Sequence, residues 1–105
     1  MAAETDGALD SPQMIGPGHF RCRVMVVNEM GLHARPASMF VSLSSKYKCD
    51  VIIRKGSQEI DGKSIMLLLT LCAEVGTPLD IETRGQDAAE AIVALRDLVA
   101  TGFGV

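Results

Sequence analysis

The sequence predicts one domain of the α+β class, an open-faced sandwich in which a β-sheet carries helices on one face. Three observations lead to this prediction. Short segments alternate apolar and polar residues, as strands with one wet face do, and other segments place apolar residues at helical spacing. These segments follow the order strand, helix, strand, strand, helix, strand, helix, and no part of the chain repeats. The length of 105 residues is enough for a single hydrophobic core.

The first predicted strand leads directly into the first predicted helix. Residues 20–27 alternate with a period of two, the strand ends at Asn28, and Gly31 supplies a turn. From Ala34 onward the period becomes helical. Pro36 suits the first helical turn, because its fixed φ is already helical and an N–H group there would have no intrahelical partner. The inward face of this helix is predicted to contain Ala37, Phe40, Val41 and Ser44, followed by Tyr47.

A β-hairpin is predicted in the middle of the chain. Residues 49–54 alternate as a second strand, residues 55–57 (KGS) form a tight turn, and residues 58–61 form a short third strand. Ile60 is the inward-facing residue of the short strand. The following glycine, Gly62, ends this strand.

The second predicted helix, from Ser64 to about Cys72, is unusually apolar. Ser64 is well suited to cap its N-terminus. The apolar side chains that follow cover nearly the whole circumference of the helix: Ile65, Met66, Leu67, Leu68, Leu69 and Leu71. We therefore expect part of this helix to be an exposed contact surface. Burial of the helix on most sides by loops is the alternative.

The last strand and the last helix have the clearest patterns. Residues 79–84 alternate, and Asp87 provides a start signal for the helix. Gly102 provides a left-handed stop, after which Phe103 can fold back onto the helix. The apolar stripe of the helix consists of Ala88, Ala91, Ile92, Leu95, Leu98 and Val99.

The N-terminal segment is predicted to be a flexible tail, residues 1–18, that precedes a domain of residues 19–105. The segment is rich in Ala, Gly, Pro and acidic residues and shows no periodicity. It lacks the basic and apolar regions of a secretory signal, so we expect a cytoplasmic protein. His19 has neither an arginine nor a helix start beside it, and it is predicted to be exposed and without function.

Composition excludes several classes of function. A net charge of -3 with scattered signs argues against nucleic-acid binding, and no apolar run is long enough to insert into a membrane. Cys22, Cys49 and Cys72 lack the spacing of metal ligands and are predicted to be buried, reduced thiols. With two histidines and no Gly-rich nucleotide loop, neither a metal nor a cofactor is predicted. The expected partners are other proteins.

The most informative motif is residues 31–37, GLHARPA. It places His33 at or beside the N-cap of the first helix and Arg35 in the first turn. The free N–H groups of that turn, the helix dipole and the guanidinium together favour a phosphoryl dianion, and a neutral imidazole nitrogen is a nucleophile. The motif therefore predicts a phosphate site around His33. A turn histidine beside a solvated arginine is the alternative.

Two motifs together resemble the HPr family, the histidine-containing phosphocarriers of the bacterial phosphoenolpyruvate-dependent phosphotransferase system. They are residues 31–37 (GLHARPA) and residues 63–66 (KSIM), in the element order described above. The resemblance extends from about Phe20 to Phe103. It implies an antiparallel sheet of four strands in the order 1-4-2-3, with three helices on one face.

The resemblance also implies a phosphoryl-transfer cycle. Phosphorylated enzyme I would transfer its phosphoryl group to Nδ1 of His33, and His33 would pass it to an enzyme IIA domain. Arg35 would bind phosphate oxygens in both transfers. The chain would then be a stoichiometric carrier rather than an enzyme, and we expect it to act as a monomer.

A regulatory site is implied by the same resemblance. Ser64 matches the serine that HPr kinase/phosphorylase modifies in many bacteria, and Ile65, Met66 and Leu69 match hydrophobic partner-contact positions. A plain N-cap serine is the alternative at Ser64. A second hypothesis for the whole protein is a regulatory interaction module that is switched at Ser64 and has no carrier role. The sequence does not distinguish between a carrier for sugar uptake and a carrier of the nitrogen-related branch of the phosphotransferase system.

Overall fold

The computed structural model describes residues 11–104 of the chain, and these residues form a sheet covered by helices. The predicted α+β class is confirmed, with five strands and three α-helices in the described part. The elements are β1 (Gln13–Gly16), β2 (His19–Met25), α1 (Ala34–Ser44), β3 (Asp50–Lys55), β4 (Gln58–Asp61), α2 (Ile65–Thr70), β5 (Pro78–Arg84) and α3 (Ala88–Ala100), followed by a 3-10 turn at Gly102–Gly104.

The sheet is antiparallel throughout, in the order β1-β2-β5-β3-β4. Without β1, the remaining order β2-β5-β3-β4 is the 1-4-2-3 order that the family resemblance implied. The expected number of four strands is wrong, because β1 adds a fifth strand at one edge of the sheet.

The additional strand β1 lies within the segment that the sequence assigned to a flexible tail. It pairs with β2 in the register Gln13↔Arg21, Met14↔Phe20 and Gly16↔His19. Main-chain groups form this pairing, and its four residues show too short a pattern to be recognised in the sequence. Residues 1–10, the remainder of the predicted tail, lie outside the described residues.

The core lies between the inner face of the sheet and the helices. Its largest fully buried side chains come from every layer and include Phe40, Ile53, Leu68, Ile81, Leu95 and Phe103. The helix stop predicted at Gly102 is confirmed, since α3 ends at Ala100 and Phe103 is completely buried. This C-terminal turn packs close to Asn28, in the loop that leads to α1. The core therefore contacts and supports the loop that leads to α1.

The prediction that all three cysteines are buried needs one correction. Cys22 and Cys49 are buried as predicted, but Cys72 is exposed. The reason is that α2 ends at Thr70, so Cys72 falls in the following turn, where its φ is +50°. At Cys49, burial and a hydrogen bond with Asp87 raise the pKa of the thiol to about 11, so this sulfur stays protonated.

His19 is not the exposed, isolated residue that the sequence predicted. Its side chain is 24% exposed, and its Nε2 lies 2.5 Å from Oε2 of Glu82, which is itself 12% exposed. The other oxygen of Glu82 accepts a hydrogen bond from Arg54, and Arg54 Nε donates to Glu59 at 2.9 Å. The four side chains form a hydrogen-bonded row across β2, β5, β3 and β4 on the outer face of the sheet, which we term the outer-face network.

Candidate phosphoryl-transfer site

His33 is the N-cap residue of α1, the position that the sequence predicted. Its backbone is extended, with φ −98° and ψ −168°, and its carbonyl oxygen accepts the first intrahelical hydrogen bond, from Ala37 N at 2.9 Å. The imidazole makes no capping hydrogen bond to the helix, and the residue is exposed. Its ring nitrogens are therefore accessible to a reacting group from outside.

The backbone before His33 is held against the loop that follows α2. Leu32 N donates to Ala73 O at 2.8 Å, and the Leu32 side chain is buried. Gly31 has a φ of +71°, and a Cβ atom there would lie 2.5 Å from Ala73 O. With Pro36 buried on the other side, the exposed His33 is fixed between two anchored positions.

The first turn of α1 is arranged to attract an anion. In a helix that begins at Ala34, the N–H groups of Ala34 and Arg35 have no intrahelical acceptor, and Pro36 has no N–H group. The first turn contains no acidic residue. Arg35 is exposed and forms no ion pair with any of residues 11–104. A phosphoryl group on His33 would meet the positive end of the helix and a guanidinium fork that fits its oxygens.

An open depression of about 260 Å³ adjoins His33. It is lined by His33 together with Asn28, Glu29 and Met30. The Met30 side chain is 75% exposed, although it is apolar. The sequence reasoning did not single out Met30, because an isolated methionine in a turn has no periodicity to mark it.

The helix α2 presents part of its apolar surface to solvent, as predicted. Exposed fractions are 38% for Ile65, 74% for Met66 and 41% for Leu67. Burial on most sides, the alternative, is excluded for these three side chains. Leu69 is only partly accessible and packs against the core, whereas Leu67, which the family resemblance did not mark as a contact position, is exposed.

Ser64 caps α2 as predicted. Its backbone is extended, and its Oγ accepts a hydrogen bond from Leu67 N at 3.2 Å. The hydroxyl lies directly before the exposed Ile65 and Met66. A charge placed on this oxygen would therefore stand beside apolar surface that is free to contact a partner.

The groups at this site are suited to accept a phosphoryl group from a donor. An exposed imidazole can form a bond to phosphorus while the helix end and Arg35 hold the phosphoryl oxygens. Within residues 11–104 no cluster of His, Cys, Asp and Glu is arranged to hold a metal ion. In the same range no helix has the length and apolar character needed to span a membrane.

Comparison with known proteins identifies the family. Residues 20–101 match the family described as "PTS HPr component phosphorylation site". The chain belongs to the HPr family. Phosphocarrier protein HPr of Neisseria meningitidis serogroup A is 42% identical over 81 residues, which cover 77% of this chain and 91% of that protein.

Solved HPr structures have the same fold. The crystal structure of HPr-C-His from Thermoanaerobacter tengcongensis matches with a TM-score of 0.78 and 35% identity, over 81% of this chain and 96% of that one. Crh of Bacillus subtilis, described as a dimer with a swapped domain, matches with a TM-score of 0.65 and 31% identity, over 85% and 97% of the two chains. Because relatives include a dimer, the expectation of a monomer has no support from the family.

Proposed function

We propose that this HPr-family chain accepts a phosphoryl group from phosphorylated enzyme I on His33 and donates it to an enzyme IIA domain. The observation that supports this proposal best is the exposed imidazole of His33 at the N-cap of α1. Family membership supports the general phosphocarrier role. The acceptor residue and the two partners belong to the proposal.

Each group of the site has a role in the transfer. A ring nitrogen of His33 attacks phosphorus in line, so that the new N–P bond forms as the bond to the donor breaks. Arg35 and the free N–H groups of α1 hold the phosphoryl oxygens, whose negative charge they balance. The second transfer reverses these steps on a different partner. Because the chain is itself the phosphoryl acceptor in the first transfer and the phosphoryl donor in the second, it acts as a carrier rather than as an enzyme.

Two histidines allow a matched test of the acceptor. Wild type, His33→Ala and His19→Ala are incubated with enzyme I and labelled phosphoenolpyruvate, and acid-labile phosphate on each chain is measured. We expect labelling of wild type and His19→Ala and none of His33→Ala, while circular dichroism shows that His33→Ala is folded. His33 is exposed, so its loss removes little packing energy. Undiminished labelling of His33→Ala would rule out the assignment.

Arg35 is tested by the rate of the same transfer. Arg35→Ala removes a charged donor that is needed mainly when phosphate is present, so the transfer should slow by about 100-fold at unchanged thermal stability. Arg35→Lys keeps the charge but loses the planar fork, and an intermediate rate is expected. Wild-type kinetics in both variants would show that Arg35 is only a surface charge.

We also propose regulation at Ser64, by an enzyme of the HPr kinase/phosphorylase type. The exposure of Ile65 and Met66 immediately after Ser64 favours this role, because partners that contact them would meet a phosphate on the serine. Leu69 adds to the proposed contact surface through its accessible part. If His33 accepted no phosphoryl group but a phosphate on Ser64 still changed partner binding, the second hypothesis, a regulatory module without a carrier role, would be correct.

A further inference from the structure

Asn28 is a buried polar residue in the loop that leads to the candidate site. It is 6% exposed, although it lies in a turn between a strand and a helix. Its side-chain Nδ2 donates to Gly31 O at 2.6 Å, and Gly31 N donates to Asn28 O at 3.1 Å. These two hydrogen bonds close the four-residue turn from both sides.

The carbonyl oxygen of Gly31 serves two donors. Besides the side chain of Asn28, it accepts the backbone N–H of His33 at 3.1 Å. The second bond spans two residues and closes a γ-turn centred on Leu32. The Asn28 amide holds the Gly31 carbonyl group in place by its hydrogen bond. The same carbonyl oxygen accepts the His33 N–H, so the position of the His33 backbone depends on the Asn28 amide.

Fold stability alone does not account for an asparagine here. Two carbonyl oxygens repel, so Nδ2 and not Oδ1 must face Gly31 O. Oδ1 is then buried, and it has no hydrogen-bond partner among residues 11–104. A buried amide that satisfies only part of its hydrogen-bonding capacity stabilises a fold poorly. Asn28 also lines the same depression as His33, which places this amide at the site.

We infer that Asn28 is a positioning residue for phosphoryl transfer: through Gly31 O, its buried amide sets the orientation of the His33 backbone and so of the imidazole. The inference rests on the proposed function. In-line transfer depends on alignment of the nitrogen with the breaking bond, and a small error in alignment costs a large factor in rate. Docking of a partner on the exposed apolar side chains of α2 would not require the amide.

The kinetic test uses two variants of Asn28 and a matched control. Asn28→Ala removes the amide, and Asn28→Asp keeps its shape but replaces the donor by an oxygen. Thr83→Val also removes one buried hydrogen bond from a side chain to a carbonyl, Thr83 Oγ1 to Ala88 O at 2.9 Å, but at the far end of β5. For both Asn28 variants we expect kcat for transfer from phosphorylated enzyme I to fall about 10- to 100-fold, with KM unchanged within about twofold. Thr83→Val should keep both constants.

A measurement on the wild-type protein covers the case in which a variant does not fold. Scalar coupling across the hydrogen bond from Asn28 Nδ2 to the Gly31 carbonyl carbon should be detectable by NMR before and after phosphorylation. Absence of this coupling, or wild-type kcat in both folded Asn28 variants, would overturn the inference while the proposed function stands. Failure of the wild type to accept any phosphoryl group would contradict the proposed function, and with it a positioning role in that reaction.

Discussion

At the scale of single residues, the candidate site depends on backbone positions that hold one exposed side chain. His33 is exposed, and its orientation comes from its neighbours on both sides. Leu32 is buried and bonded to Ala73, and Pro36 is buried in the first helical turn. Gly31 makes the close approach to Ala73 possible. The candidate acceptor can therefore be exposed and well oriented at the same time.

Gly31→Ala tests the close approach to Ala73. The new Cβ would lie 2.5 Å from a backbone oxygen and would also be strained at a φ of +71°. We expect a loss of unfolding free energy of more than about 1 kcal/mol, together with slower phosphoryl transfer because the loop must move. Gly56→Ala is the control, since Gly56 has a φ of +59° but open space around it. Equal stability and equal transfer rates for the two variants, from thermal unfolding and labelling kinetics, would contradict this explanation.

At the scale of secondary-structure elements, α2 and β1 stand out because both expose apolar side chains. The helix α2 has six residues, and its first turn is half solvent-exposed and apolar. The strand β1 covers the outer edge of β2 and itself has exposed apolar side chains, Met14 and Ile15. The first feature suits a docking surface, and the second protects an edge that could otherwise pair with another chain.

Variants of Ser64 separate its capping role from the proposed regulation. Ser64→Ala loses the bond to Leu67 N, so we expect a stability loss of about 1 kcal/mol and nearly normal transfer. Ser64→Asp keeps a capping oxygen and adds charge beside Ile65 and Met66. It should melt near the wild-type temperature but show a KM for enzyme I raised about fivefold or more, because docking must desolvate or repel the charge. Coincident titration curves for Ser64→Asp and wild type would leave Ser64 as a helix cap alone.

Truncation tests the role of β1. A chain that begins at Gly18 retains β2 and the core but leaves the backbone N–H and C=O groups along one side of β2 unpaired. We expect this variant to keep its phosphoryl transfer, because His33 lies at the N-terminus of α1 and not on β1. We also expect it to self-associate more strongly than the full chain, because the edge of β2 is exposed. Analytical ultracentrifugation measures the association. Identical sedimentation of both chains over a range of concentrations would show that β1 does not protect the edge.

At the scale of the whole molecule, strands distant in sequence are tied together by the outer-face network. His19 and Glu82 are 63 residues apart, and Arg54 joins Glu82 to Glu59. Burial alone would raise the pKa of Glu82, but the hydrogen bonds from Arg54 and His19 outweigh burial and hold this pKa below its ordinary value. The network thus favours the ionised carboxylate in the folded protein.

The lowered pKa of Glu82 predicts how stability depends on pH. A carboxyl group whose pKa is lower in the folded than in the unfolded protein adds stability above its ordinary value of 4.5, and that stability is lost as the pH falls through the folded pKa. Glu82→Gln should reduce the unfolding free energy at neutral pH by about 1–3 kcal/mol. The unfolding free energy of this variant should also fall less steeply than that of wild type as the pH is lowered. Glu59→Gln is the control, because the Glu59 side chain is more exposed and, within residues 11–104, it hydrogen-bonds only to Arg54. Parallel acid unfolding curves for wild type and Glu82→Gln would refute this account.

The sequence by itself determined what depends on near neighbours in the chain. Alternation and helical spacing placed β2, α1, β3, β4, β5 and α3, and the local motif around His33 and Arg35 placed both residues at a helix N-terminus. The capping role of Ser64 and the partial exposure of α2 followed in the same way, whereas the family resemblance marked Ile65 and Met66 as contact positions. These features arise from interactions within a few residues, so the local pattern is enough to predict them.

Only the tertiary structure decided what depends on partners distant in the chain. The strand β1 forms through main-chain bonds to β2, and such bonds leave little trace in side-chain pattern. His19 became part of the outer-face network because β5 brings Glu82 beside it. The contact of Gly31 with Ala73 likewise joins two loops that no periodicity connects. The candidate acceptor His33 could be identified from the sequence, whereas the contacts that hold it in place appear only when the folded chain brings distant segments together.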